Sequence, residues 1–192
     1  EDLQEVRSFK IRGAYNKICS LNPREQKKGV VCSSAGNHAQ GVAKSCNLLK
    51  MNGVIFMPTI TPRQKIEQVN MFGGQYVKVI LEGDTYDDSY EAAKKYCADH
   101  DKTFIHPFDD LQVIEGQATL AYEILEQTEK KIDSIIVPIG GGGLISGVLS
   151  VFKQLSPETK VIGVEPLGAP SMSTSIEKNE ITTLGKIDPF VD

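Results

Sequence analysis

Six short segments rich in Val and Ile, at 30–33, 53–57, 75–81, 103–105, 134–139 and 161–164, alternate along the chain with stretches of helical length. None shows the polar–apolar alternation of a strand with one wet face, so each reads as a strand covered on both faces. The intervening helices are expected at 8–21, 37–49, 62–72, 84–99, 113–129 and 144–155. Pro62 suits a helix start and Asp84 an N-cap. Apolar residues at 114, 118, 121 and 125 give the fifth helix its stripe. Such alternation demands parallel β-α-β units with right-handed crossovers. The fold class is therefore α/β, with parallel sheets and helices on both faces in three layers. The loop at 106–112, with Pro107, Asp109 and Asp110, is the expected junction between two sub-domains.

Composition narrows the function classes. The 192 residues are 40% hydrophobic and 24% charged, which suits an ordinary globular core. A net charge of −4 and the lack of a basic run argue against nucleic acid or an anionic membrane surface as partner. The longest apolar run, 135–139, is far short of the ~18 residues a membrane span needs. Cys19, Cys32, Cys46 and Cys97 form no C-x-x-C pair and read as reduced core thiols of a cytoplasmic protein. The three histidines are scattered, and no metal-ligand spacing appears. The chain starts at Glu1 and stops after Asp188-Pro189-Phe190-Val191-Asp192, so it reads as a piece of a longer protein cut at both ends.

Three segments could carry chemistry. Gly140, Gly141, Gly142 and Gly143 follow a strand and precede a helix. Glycines let the backbone approach a ligand, and the helix start offers free N–H groups, so the segment suits an anion or phosphate more than a mere flexible turn. A nicotinamide dinucleotide is one candidate, since Glu165 lies about 20 residues on, but Ile145 and Ser146 stand where its third glycine is needed. The absence of Gly-Lys-Ser/Thr disfavours a nucleoside triphosphatase. Ser33-Ser34-Ala35-Gly36-Asn37-His38-Ala39-Gln40-Gly41 also joins strand to helix. Simple capping needs one such polar residue, whereas this cluster suits a carboxylate. Lys10, between Phe9 and the small pair Gly13-Ala14, is an ordinary solvated lysine when read alone. Combined with the other two segments it becomes a candidate buried amine fit for a Schiff base.

Together the three segments resemble the fold-type II (tryptophan synthase β-like) pyridoxal-phosphate enzymes, almost end to end, and within them the threonine dehydratase (threonine deaminase) group. Glu1-Asp2-Leu3-Gln4 leading into Ser8-Phe9-Lys10, Met57-Pro58 with Thr61-Pro62, Phe72-Gly73-Gly74, and His106-Pro107-Phe108-Asp109-Asp110 with Val113-Ile114 and Gly116-Gln117 are similar to that group's motifs. The resemblance implies pyridoxal 5'-phosphate as cofactor and deamination of L-threonine to 2-oxobutanoate and ammonia, a first step towards isoleucine. L-Serine dehydratase and serine racemase are the alternatives within the class. It implies Lys10 as the cofactor lysine and the base at the substrate Cα, Phe9 against the cofactor ring, and Asn37 on its phenolic oxygen. Gly140, Gly141, Gly142, Gly143 and Leu144 would hold its phosphate, and Ser34, Ala35, Gly36, Asn37 and His38 the substrate carboxylate. Serine racemases carry a serine where this chain has Ala35, so elimination without racemisation is expected. Their metal site also looks incomplete, with Ser171 where a second carboxylate would join Glu165; no required metal is expected. The resemblance further implies a homo-oligomer, tetramer or dimer, and two domains: 1–21 with 110–192 on the cofactor side, and 22–109 on the substrate side.

Overall fold

The computed structural model describes residues 1–185, 187 and 188; Lys186 and residues 189–192, where the chain-end reading falls, lie outside them. The chain divides into two compact units, Glu1–Gln117 and a second from Ala118 onward.

The first unit carries α1 (Lys10–Cys19), α2 (Pro23–Lys28), β1 (Val30–Ser33), α3 (Asn37–Leu49) and β2 (Gly53–Met57), followed by α4 (Arg63–Gly73), β3 (Val77–Leu81), α5 (Tyr86–Asp99), β4 (Thr103–Phe104) and the start of α6 (Leu111–Gln127). Its four strands are all parallel, in the order β3-β2-β1-β4. Every residue of β1 and β2 is buried, as their unbroken apolar runs require. Alternate residues serve opposite faces. Val30, Cys32, Ile55 and Met57 pack with Ile18 of α1, Val42 and Cys46 of α3 and Val69 of α4. Val31, Val54 and Phe56 pack instead with Ala93 and Cys97 of α5. The three layers expected from the sequence are thus present in this unit.

Local chemistry sets the boundaries. Thr85, not Asp84, caps α5: its hydroxyl accepts from Asp88 N while the Asp88 carboxylate accepts from Thr85 N. Asp84 accepts from the Thr59 hydroxyl instead. Pro62 is the N-cap of α4 rather than its first helical residue. A 3-10 turn at Gly74–Tyr76, opened by Gly74 at φ +53°, delays β3 to Val77. Helix α2 carries no apolar stripe and is held by a capping box between Asn22 and Glu25. Cys19 is exposed, unlike the other three thiols, because it closes the last turn of α1.

The second unit contains the rest of α6, β5 (Ser134–Pro138), α7 (Gly143–Leu155), β6 (Lys160–Val164) and α8 (Ser171–Lys178). Its two strands pair in parallel. Ala121 of α6, Val137 of β5, and Val148, Val151 and Phe152 of α7 form its core. Ile136 and Val164 are exposed, 68% and 49% respectively. Among the described residues no helix is long and apolar enough to cross a membrane.

Candidate functional site

In the strand order β3-β2-β1-β4 the chain moves outward from β1 to β3, then returns to the opposite side of β1 for β4. That reversal opens a crevice beyond the C-terminal ends of β1 and β4, the place where open parallel sheets bind ligands. The loop after β1 is Ser34-Ala35-Gly36; the loop after β4 begins at Ile105 and His106. Both sit at the switch point.

The first loop is held from within and from β2. Ser34 N donates to Phe56 O (3.1 Å), and Ser34 Oγ accepts from Gly36 N (3.2 Å). Gly36 caps α3 without a side-chain hydrogen bond, which leaves first-turn amides of a 13-residue helix for an outside acceptor. Asn37 is exposed and lines a cleft of about 590 Å³ with Arg7, Gln40, Gln68 and Phe72. His38, the next residue, is 3% exposed, with Nε2 2.9 Å from Ile105 O. A carbonyl only accepts, so Nε2 carries the proton and donates. Burial lowers the His38 pKa to about 3, against the opposing hydrogen bond to Ile105 and with help from the nearby Lys10 charge. His38 is therefore neutral at ordinary pH and ties loop to loop.

Lys10 is the first residue of α1, and its Nζ donates to Pro107 O at 2.8 Å. The same Nζ lies 5.5 Å from the Phe9 ring centroid. Desolvation pushes its pKa below that of an ordinary lysine. Close approach of α3 to this helix start depends on Gly41: a Cβ there would lie 3.0 Å from Ile11 N and from Lys10 C. The structure thus brings Lys10, Phe9 and the 34–38 loop together, joined through the carbonyls of Ile105 and Pro107. Neither carbonyl was singled out from sequence, because backbone acceptors carry no residue-type signal.

The glycine segment belongs to the second unit. It leaves the C-terminal end of β5 and enters α7 with Gly142 as N-cap at φ +86°, without a side-chain cap. Gly140 and Gly141 are exposed, and a Cβ on Gly140 would meet nothing within 4 Å. Leu144, on the first turn, packs against the unit's core. The result is an open string of backbone donors at a helix N-terminus, fit for a phosphate. Glu165, the acid on which a dinucleotide reading leans, caps α8: its carboxylate accepts from Met172 N and Ser173 N, both at 2.7 Å, and from Ser171 Oγ at 3.3 Å. Its desolvation is outweighed by these bonds, which hold its pKa below the usual carboxylate value. Among the described residues no group of three or more His, Cys, Asp or Glu side chains gathers.

The first unit thus offers a partly desolvated amine and a donor loop at its switch point, and the second unit a glycine-rich helix start suited to an anion. The chain belongs to the pyridoxal-phosphate-dependent enzyme family, whose profile matches residues 1–192. It is 56% identical over its full length to the biosynthetic L-threonine dehydratase of Halalkalibacterium halodurans and 54% identical to that of Bacillus subtilis. It spans 46% of the length of each. Among solved structures it matches the processed form of threonine deaminase isoform 2 from Solanum lycopersicum, with a TM-score of 0.95 and 46% identity, over 100% of this chain and 52% of that one. Maize serine racemase matches with a TM-score of 0.91 and 37% identity, over 98% of this chain and 56% of that one. The expected fold type and cofactor, pyridoxal phosphate, are those of this family.

Proposed function

We propose that the protein is a threonine dehydratase that deaminates L-threonine to 2-oxobutanoate and ammonia in the cytoplasm, as a step towards isoleucine. The observation that carries this reading is the Lys10 amine, lowered in basicity by burial and held 2.8 Å from Pro107 O at the switch point. The names of the relatives at 54–56% identity support the choice of substrate.

Pyridoxal phosphate, when bound, supplies an electron sink for charge at the substrate Cα. Lys10 would hold it covalently through Nζ and, once released, take the Cα proton there; a lowered amine pKa keeps a fraction of it unprotonated for that task. Backbone amides of the Gly140–Gly143 string and Leu144 would bind the phosphate. Asn37 would hydrogen-bond the phenolic oxygen, and Phe9 would pack by the ring. Ser34, Ala35, Gly36, Asn37 and His38 would hold the substrate carboxylate, mainly through amides at the start of α3. Loss of the β-hydroxyl as water, followed by hydrolysis, balances threonine against 2-oxobutanoate and ammonia.

The reading includes a homo-oligomer, tetramer or dimer, and a division into residues 1–21 with 110–192 for the cofactor and 22–109 for the substrate side. In support of the second part, β1 to β4 and α3 to α5 all fall within 22–109. Free thiols, with no disulfide among the described residues, support the cytoplasmic assignment. The test is turnover of L-threonine by the full chain and by Lys10→Ala. The variant should lose at least about a thousandfold in kcat, within the range expected when both a covalent and a proton-transfer role go. An Ala variant with near-normal kcat would overturn the assignment.

A further inference from the structure

Helix α1 begins differently from every other helix among the described residues. In α2 to α8 the fourth helical amide bonds the carbonyl four residues back, just ahead of the helix, from Gln26 N to Asn22 O (2.9 Å) in α2 to Thr174 N to Pro170 O (3.1 Å) in α8. In α1 the corresponding amide, Gly13 N, is accepted by the side-chain oxygen of Gln117 at 3.2 Å, and Arg12 N bonds Phe9 O (3.0 Å) in a tighter turn. The turn so altered is the one that begins with Lys10, and Phe9, its N-cap, provides no side-chain hydrogen bond.

Gln117 is 1% exposed. An amide is costly to bury, and its oxygen here faces an N–H that the helix leaves without a backbone acceptor, instead of an apolar neighbour. The two helices meet through glycine on both sides. A Cβ on Gly116 would lie 2.5 Å from Arg12 O, and one on Gly13 would lie 2.3 Å from Gln117 Nε2. Further along, Asn16 Nδ2 donates to Gln112 O (2.7 Å), and Lys17 Nζ pairs with Asp110 (2.8 Å). The start of α6 therefore braces α1 along its length, and at the Lys10 end the brace replaces a bond of the helix itself.

We propose that Gln117 is a positioning residue, whose buried amide oxygen sets the first turn of α1 so that Lys10 is delivered to the crevice. The inference rests on the reading of Lys10 as the cofactor lysine, and its test separates the two. Gln117→Met keeps length and bulk but removes the acceptor. In the cofactor-free full chain, the pH profile of Lys10 acetylation by acetic anhydride, read by peptide mass spectrometry against exposed Lys27, should move towards that of an ordinary lysine. In the holoenzyme, kcat should fall about ten- to a hundredfold, the loss expected of a misplaced reactive group, with KM for L-threonine changed less than about twofold. An unchanged profile with an unchanged kcat, in a folded variant of lower Tm, would make Gln117 merely structural. Hydrogen exchange in the unaltered full chain gives an independent answer, and decides alone if the variant does not fold. Gly13 N–H should be protected like the core amides of α3, and exchange as fast as exposed loop amides would overturn the proposal. Acetylation needs no cofactor, so its outcome stands even if Lys10 proves not to be the residue that binds it.

Discussion

At the scale of single residues, His38 shows how burial decides between chemistry and scaffolding. A histidine beside a candidate base invites an acid–base role, but its lowered pKa leaves nothing to titrate near neutrality. The same depression makes it a stability element. An unfolded chain protonates His38 near pH 6.5 and the folded chain only near 3, so its contribution is fully present above 6.5 and is lost as the pH falls towards 3. Each pH unit inside that window is worth about 1.4 kcal/mol. Denaturant titrations from pH 7 to 4 should show that slope, and His38→Gln should flatten it; an equally steep limb in the variant would assign the titration elsewhere. Ala35 bears on specificity in a different way. Its methyl packs towards the core and offers no proton-carrying group on the loop. The full enzyme should therefore form no appreciable D-serine from L-serine, and chiral chromatography showing abundant D-isomer would refute this.

At the scale of elements, glycine governs how closely helices approach. Gly116→Ala would drive a methyl to 2.5 Å from the carbonyl of Arg12, backbone that cannot swing aside. Overpacking of this kind costs about 1–3 kcal/mol, so the variant's Tm should drop by several degrees, whereas Gly36→Ala has space and a permitted φ and should fall far less. Equal losses at the two positions would contradict the tight α1–α6 crossing. Elements with strong apolar patterns were legible from sequence: β1, β2 and α3 have the expected limits, since their burial follows their composition. Helix α2 was not, because a proline and five polar residues carry no stripe; its signal was the Asn22…Glu25 box. Helix α8 was hidden because its cap, Glu165, comes from the end of β6 rather than from the residue beside it. The role of Gln117 left a trace, an amide inside the buried run Val113, Gln117, Ala121 of α6, but only coordinates reveal the Gly13 amide it meets.

At the scale of the whole molecule, the candidate residues fall in both units: the amine and the carboxylate loop in the first, the glycine cradle in the second. Each segment read alone had a bland explanation, and their order along the chain pointed to the family before any geometry was available. The open face of β5 and β6, with Ile136 and Val164 exposed, bears on behaviour in solution. Residues 1–192 produced alone should self-associate, as uncovered apolar strands do; a monomeric 1–192 would overturn that expectation. The central claim, that Lys10 is the residue that binds the cofactor, is tested most directly by reducing the holoenzyme with borohydride and mapping the modified peptide. The account predicts loss of the visible absorption band and a single pyridoxyl group on the peptide containing Ser8-Phe9-Lys10. The same label on any other lysine, with Lys10 unmodified, would contradict it.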